Sequence, residues 1–197
     1  MKKILLLAVF CFLFVSFAFA QRASTPSDFN FEVRDGTITI TGLSRVAREV
    51  VIPDRINAIA VTAIGNDAFK ASNLSSVVIP GSVTRIGDRA FERNQLRSVN
   101  LPNSVTYVGW HAFWGNQLNS VILPDSPGVS WQAFGENPLT SVAIGNNTNF
   151  MLPAAKELVV CEDTEPFWRF INCYFMEGFM EGVYTRPNVS SSIWTRQ

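Results

Sequence analysis

The chain has 197 residues, of which 47% are hydrophobic, and its 16 basic and 16 acidic side chains give a formal net charge of zero. This balance provides no electrostatic reason to expect nucleic acid as a partner, because proteins that bind nucleic acid concentrate positive charge. The length is ordinary for a single domain.

Residues 1–20 have the pattern of a secretory signal peptide. Lys2 and Lys3 precede an apolar run over residues 4–15, and Ala18-Phe19-Ala20 offers a small-x-small cleavage site before Gln21. A membrane anchor is the alternative, since roughly 20 apolar residues span a bilayer. With cleavage, no integral membrane segment is expected to remain. The protein is then exported, to the periplasm, the cell surface or the medium.

Residues 21–49 are predicted to form an N-terminal cap for the repeats that follow. Apolar and polar residues alternate over 29–33 and 37–40, on either side of Asp35-Gly36. Alternation around an Asp-Gly pair predicts a β-hairpin with a two-residue turn.

Residues 50–145 are predicted to form repeats of about 22 residues. Four Ala-Phe pairs end in phenylalanines spaced by 22, 22 and 21 residues, and a leucine and a valine recur at the same intervals. Such a period indicates a solenoid, whose coils bury apolar side chains against their neighbours. A solenoid works by presenting a surface, which favours binding over catalysis. The recurring residues are Phe69, Phe91, Phe113 and Phe134; Leu74, Leu96, Leu118 and Leu139; and Val77, Val99, Val121 and Val142.

Each part of the repeat has a predicted role. Val77 and Ile79 lie at alternate positions, which predicts a strand with one buried side that ends at Pro80. The glycine that follows is expected to permit a turn, and Ala-Phe is predicted to lie on a short helical turn. An asparagine two residues before the strand leucine is expected to satisfy backbone groups of adjacent coils, with ligand binding as the alternative. These asparagines are Asn94, Asn116 and Asn137.

The repeated pattern Leu-x-x-Val-x-Ile-Pro-x-x-Val-x-x-Ile-Gly-x-x-Ala-Phe resembles the BspA-type leucine-rich repeat of bacterial surface and secreted proteins, spirochaetal ones among them. The resemblance implies an α/β solenoid: a short leucine-rich repeat horseshoe with a concave parallel strand ladder. Members of the family are implicated in adhesion to host matrix proteins, in coaggregation and in immune stimulation. The resemblance therefore implies a protein partner, with a host matrix protein as one candidate, and names no particular ligand.

Residues 146–197 are predicted to form a C-terminal cap. Apolar residues over 165–179 have helical spacing, which predicts a helix over the last coil. A terminal strand or hairpin is expected from residue 182 onward. Cys161 and Cys173 either form a disulfide or remain two buried thiols.

Two surfaces are candidates for binding. The first is the outward side of the strands, which is small and mostly neutral and suits a broad protein contact. A face selected only for solubility is the alternative. Its residues are Ser76, Val78, Ser98, Asn100, Ser120, Ile122, Ser141 and Ala143.

The second candidate is an aromatic patch of Trp110, Trp114 and Trp131. Trp110 and Trp131 occupy the same repeat position, so neighbouring coils are expected to place them together. Tryptophan is enriched in interaction hot spots, and exposed rings can stack on sugar. Burial under the C-terminal segment is the structural alternative. Self-association through this region, as a structural protein of the periplasm, is a further one.

Four arginines follow one another at spacings of four residues in one coil, where they could line its flank. Two interpretations are open. The arginines belong to a solvated face interleaved with acidic residues, or they form a site for an acidic partner or a sulfated glycan. The arginines are Arg85, Arg89, Arg93 and Arg97.

No motif indicates an enzyme. His111 is the only histidine, and no serine or cysteine motif for a nucleophile accompanies it. The glycines follow the repeat and form no phosphate-binding loop. We therefore expect no catalytic residues, no cofactor and no metal.

Overall fold

Short alternating segments build a β-solenoid of about five turns. The computed structural model describes residues 24–125, 128–130, 132–144, 149–151, 182–185 and 195–196. Within these residues the helical content is one 3-10 turn at Pro26–Asp28. The strands in chain order are β1 Phe29–Arg34, β2 Thr37–Leu43, β3 Glu49–Val51, β4 Arg55–Ile56, β5 Ile59–Ile64, β6 Ser76–Val78, β7 Arg85–Ile86, β8 Tyr107–Val108, β9 Ser120–Leu123, β10 Gly128–Ser130, β11 Ser141–Ile144, β12 Asn149–Met151, β13 Gly182–Thr185 and β14 Thr195–Arg196.

The predicted parallel ladder of repeat strands is present, in two segments. β3 pairs with β6, and β9 pairs with β11, both in parallel. β13 then pairs antiparallel with β11, and β14 pairs antiparallel with β13. The strand that was expected from residue 182 onward is therefore present. It extends the ladder by antiparallel pairing, whereas the repeat strands pair in parallel.

A second, longer ladder joins the predicted N-terminal hairpin to segments of the repeats for which the sequence predicted only turns. Eight strands form one sheet in the order β1-β2-β5-β7-β8-β10-β12, with β4 paired to β5. The residue before each repeat glycine is in register with its equivalent in the next coil, as Ile64 is with Ile86 and Ile86 with Val108. These side chains are fully buried. Coils with two strands, such as β6 with β7 and β9 with β10, therefore contribute to both ladders, whereas residues 98–101 form no strand.

The repeat glycines are required by contact between coils and not by a turn. Neither Gly87 nor Gly109 has a positive φ. A Cβ on Gly87 would lie 2.7 Å from the backbone nitrogen of Asn66, and one on Gly109 would lie 2.6 Å from that of Asp88. Glycine is needed because the backbone of the preceding coil fills the space of a side chain.

For the described repeats, the prediction of an α/β solenoid with helical turns at Ala-Phe is wrong. The segment is a non-helical turn in which the second residue after the glycine has a positive φ, 56° at Arg89 and 55° at His111. Its N–H groups bond to the next coil: Phe69 donates to the carbonyl of Ala90, and Phe91 to that of Ala112, both at 2.7 Å. The N–H groups that alternate with them bond within the turn, as that of Ala90 does to the carbonyl of Gly87 at 3.4 Å. Alternate donors thus join the turns of adjacent coils into a ladder of their own.

The apolar core is a column of stacked rings inside the coils. Four phenylalanine rings are fully buried, with centroids 5.1, 5.0 and 5.2 Å apart. Offset stacking at this spacing adds to the free energy gained by burying the rings. The 22-residue period thus places one aromatic ring per coil at the same depth. The rings belong to Phe69, Phe91, Phe113 and Phe134.

The recurring asparagines join adjacent coils, as predicted from their spacing. Asn116 is buried, its Oδ1 accepts a hydrogen bond from the backbone N–H of Leu96 at 3.1 Å, and its Nδ2 donates to the carbonyls of Phe91 and Phe113 at 2.9 and 3.0 Å. Asn94 and Asn137 make equivalent bonds in their own coils. Neighbouring asparagines share carbonyls: that of Phe91 accepts from Asn94 and Asn116, and that of Phe113 from Asn116 and Asn137. The side chains thus keep the buried backbone groups of the corner hydrogen-bonded.

The predicted hairpin forms from β1 and β2 around Asp35 and Gly36, which have φ of 51° and 72°. β2 also pairs in parallel with β5, so the hairpin continues the second ladder at its N-terminal end. Asp28 accepts hydrogen bonds from Arg45 Nε at 2.5 Å and Nη2 at 3.1 Å. The hydrogen bond from Arg45 holds the pKa of this carboxyl far below its usual range.

Several predictions lie outside the described residues: the signal peptide, the helix over 165–179, Cys161 and Cys173, and Trp131. In the part of the chain that the structure describes, no helix is both long and apolar enough to span a membrane.

Candidate interaction surfaces

The strand face predicted as the first surface consists of two rows of outward side chains. In the row that contains Val78, the exposed fractions are 45% for Val78 and 66% for Ile122, with Asn100 exposed between them. Ile122 is in register with Ala143, which in turn is in register with Val183 on β13. The face therefore carries two large exposed apolar side chains among small ones.

The second row is made of serines. Ser98 and Ser120 are exposed, while Ser76 and Ser141 are partly buried. The intervening residues point inward, as the alternation predicted: Val121 is 2% exposed. Small side chains in this row leave the strand backbone and the neighbouring apolar row accessible to a partner.

The aromatic patch forms a stack centred on the only histidine. The imidazole of His111 lies 3.9 Å from the ring centroid of Trp110 and 5.4 Å from that of Trp114, with both interplanar angles 20°. Trp110 is 37% exposed, and Trp114 is partly buried. The predicted neighbour Trp131 lies outside the described residues. Because His111 occupies one side of each ring, less ring surface is available to a sugar than three independent tryptophans would offer.

His111 is held in this stack by the next coil. Its Nε2 lies 2.6 Å from Oε1 of Gln132, which occupies the equivalent position one coil later. A positive φ at both residues places their side chains in one column. The imidazole thus has a structural role in joining coils. Among the described residues, no group of three or more His, Cys, Asp or Glu side chains could hold a metal ion.

Three arginines of one coil lie over three aromatic rings of the next. The guanidinium carbon is 4.0 Å from the ring centroid in the first pair, 5.7 Å in the second and 5.3 Å in the third, within the range of cation–π attraction. We call this set the arginine–aromatic ladder; its pairs are Arg85 with Tyr107, Arg89 with Trp110 and Arg93 with Trp114.

The sequence interpretation treated these arginines and tryptophans as separate features. The signal that joins them is their spacing: each arginine precedes its aromatic partner by 22 or 21 residues, one repeat length. Side chains one repeat apart lie in adjacent coils at about 4.8 Å, the spacing of paired strands. The spacing therefore predicts that each pair lies in adjacent coils, and the structure adds that the guanidinium stacks on the ring.

Acidic residues neutralise part of the positive charge at and beside the arginine–aromatic ladder. Arg89 Nε lies 3.1 Å from Asp67 Oδ1, and Lys70 Nζ lies 3.2 Å from Glu92 Oε1. Glu92 is only 6% exposed, so it belongs to the joint between coils and not to a fully solvated face. Acidic residues are thus interleaved with the arginines as expected, but Glu92 is buried and is not part of a solvated face.

Comparison with known proteins identifies the repeat. The profile of the BspA type leucine rich repeat region matches residues 48–154 with six copies, past the predicted end of the repeats at residue 145. No curated protein matches the chain.

Three bacterial leucine-rich repeat proteins with crystal structures are similar to this chain. A Treponema pallidum leucine rich repeat protein is 19% identical with a TM-score of 0.45, over 55% of this chain and 64% of its own. A leucine rich cell surface protein from Faecalibacterium prausnitzii is 20% identical with a TM-score of 0.33, over 63% and 55%. A leucine-rich repeat protein from Bacteroides ovatus is 22% identical with a TM-score of 0.41, over 54% and 36%. The similarity spans less than two thirds of each of those chains.

The repeats are sufficient to assign the chain to a repeat family without these structures. The phenylalanine stack, the asparagine bonds and the paired strands recur with one period. The family profile matches residues 48–154, more than half of the sequence. Repeats of this type generally serve as interaction modules. The chain belongs to the BspA type leucine-rich repeat family.

Proposed function

We propose that this chain is an exported, non-catalytic interaction protein that binds another protein through the outward face of its repeat strands. The partner is a protein of the host matrix or of a cell surface. Support comes from the family, whose repeats are generally interaction modules, and from the signal-peptide pattern of residues 1–20.

The exposure of Ile122 carries the proposal. A solubilising face would place polar residues at every outward position, yet this side chain is 66% exposed and Val78 in the same row is 45% exposed. Full burial of such a side chain against a partner contributes about 1.5–3 kcal/mol. Small neighbours such as Ser120 and Ala143 allow a flat partner surface to approach both apolar side chains. The expected contact is broad and shallow, with these side chains as its anchors.

Location is the first test. We would treat intact cells with a protease and follow the protein with an antibody. Cleavage on intact cells supports surface display and justifies binding assays with immobilised matrix proteins. Protection until the outer envelope is permeabilised would contradict adhesion and direct the search to periplasmic partners, including a second copy of this chain.

The second test separates the strand face from the rest of the surface. Ile122→Lys places a charge in the proposed contact, and we expect it to weaken binding to the partner by about tenfold or more. Val46→Lys is the matched control, because Val46 is 92% exposed and lies between β2 and β3, outside the face. Equal affinities of the two variants would refute the proposed contact.

A further inference from the structure

The arginine–aromatic ladder is a second surface, and we propose that it binds a sulfated polysaccharide. The ladder lies on the second sheet and the adjoining turns, whereas the protein contact proposed above uses the strands of the repeat leucines. The inference goes beyond that proposed function and does not depend on it.

The ladder is one continuous feature. Tyr107 lies at its first end, and its hydroxyl is 3.4 Å from Oδ1 of Asp88. The same Oδ1 accepts a hydrogen bond from the backbone N–H of Trp110 at 2.9 Å. From there the His111 stack leads to Trp114 at the other end. The three arginine-covered rings are therefore held in fixed relative positions before any ligand arrives.

Two of the three arginines have N–H donors available for an anion. Arg85 is exposed and pairs with no carboxylate among the described residues, and Arg93 is 66% exposed with Nε 3.8 Å from Glu92. Arg89 is engaged with Asp67. A guanidinium that stacks on a ring keeps its in-plane donors free, and these match the paired oxygens of a sulfate or carboxylate. The ladder thus presents two anion contacts at its two ends.

The groups between these ends favour a sugar polymer over other polyanions. The carboxylate of Asp88 lies between the arginines. The hydrogen bonds from Tyr107 and Trp110 both go to its Oδ1 and neither goes to its Oδ2. A carboxylate repels a uniformly anionic peptide but accepts a hydrogen bond from a sugar hydroxyl. The partly exposed rings of Tyr107 and Trp110 offer apolar surface to the C–H groups of a sugar. A polymer that alternates sulfates with hydroxyl-bearing rings matches this order of groups.

The experiment measures binding of heparin, used as the sulfated probe, to the full chain at physiological salt. We expect wild-type protein to bind heparin and to bind desulfated heparin much more weakly. Arg85→Gln combined with Arg93→Gln should lower the affinity about tenfold or more, since each lost contact is a charge-assisted hydrogen bond. The matched control is Arg34→Gln combined with Arg55→Gln, which removes the same charge from exposed positions elsewhere and should bind as wild type.

The single variants Arg85→Gln and Arg93→Gln serve if the double variant does not fold. Each retains the other anion contact and two of the three stacked pairs, and each should lose heparin affinity by several-fold. Absence of heparin binding, equal losses in the two double variants, or equal binding of polyglutamate or single-stranded oligothymidylate would overturn the proposal. Ile122→Lys should leave heparin binding unchanged, so failure of this inference and failure of the proposed protein contact are distinguishable.

Discussion

Replacement of Asn116 tests whether hydrogen bonds between coils determine the stability of this solenoid. The side chain is 6% exposed, and its amide makes well-formed bonds to three backbone groups: the N–H of Leu96 and the carbonyls of Phe91 and Phe113. Asn116→Ala leaves the Leu96 N–H buried without a partner, whereas the carbonyls of Phe91 and Phe113 each lose one hydrogen bond and keep another, from Asn94 and Asn137. A buried polar group without a partner costs about 1–3 kcal/mol. Each lost hydrogen bond to a carbonyl adds about 0.5–1.5 kcal/mol.

We expect Asn116→Ala to reduce the free energy of unfolding by about 3 kcal/mol. For a chain of this size, that loss lowers the melting temperature by about 6–12 °C. Asn116→Asp keeps the acceptor for Leu96 but replaces the donor with an oxygen that faces two carbonyls. It should therefore be less stable than the alanine variant at neutral pH, although its shape is unchanged.

Urea denaturation followed by circular dichroism measures these differences. Asn103→Ala is the control, because Asn103 is exposed in the same coil and should change stability by less than about 0.5 kcal/mol. A loss below about 1 kcal/mol for Asn116→Ala, or equal losses at both positions, would refute the reasoning. The midpoint should shift with little change of slope if the coils unfold together.

Three further outcomes follow from the contacts. Phe113→Ala, which removes a ring stacked between two others, should cost about 3–5 kcal/mol in urea denaturation, and a cost near that of a surface mutation would contradict the stacked core. Gly109→Ala should cost about 1–3 kcal/mol because its Cβ would meet the preceding coil, whereas Gly81→Ala, with no atom within 4 Å, should be neutral. Asp28 has a lowered pKa through Arg45, so its contribution to stability is present above its unfolded value of about 3.9 and is lost as the pH falls below it. Asp28→Asn should therefore flatten the loss of stability in acid, and an unchanged pH profile would count against the ion pair.

Much of the fold could be predicted because one period controls it. The spacing of phenylalanine, leucine and valine indicated stacked coils, and alternation at Val77 and Ile79 predicted which strand positions are buried, as observed. The position of Asn116 predicted its bonds to adjacent coils. Each of these features depends on side chains one repeat apart, and a fixed repeat length places such side chains in contact.

The helical turn at Ala-Phe could not be predicted correctly, because local preference did not decide it. Arg89 and His111 adopt a positive φ that costs energy in isolation, and the hydrogen bonds from Phe91 to the next coil offset that cost. The second ladder was missed for a related reason. Two-residue strands such as β7 have too little alternation to be recognised, and they are strands only because a neighbouring coil pairs with them.

For the candidate surfaces, too, part could be predicted from the sequence and part required the structure. The outward positions of Ser120 and Ile122 followed from alternation, but their exposed fractions depended on which neighbours cover them. The sequence determined the period, the buried positions and the family, because these depend on the order of residues along the chain. Only the tertiary structure decided how adjacent coils share hydrogen bonds and place Arg85 over Tyr107. Those contacts join residues one coil apart, and their geometry exists only when the coils stack.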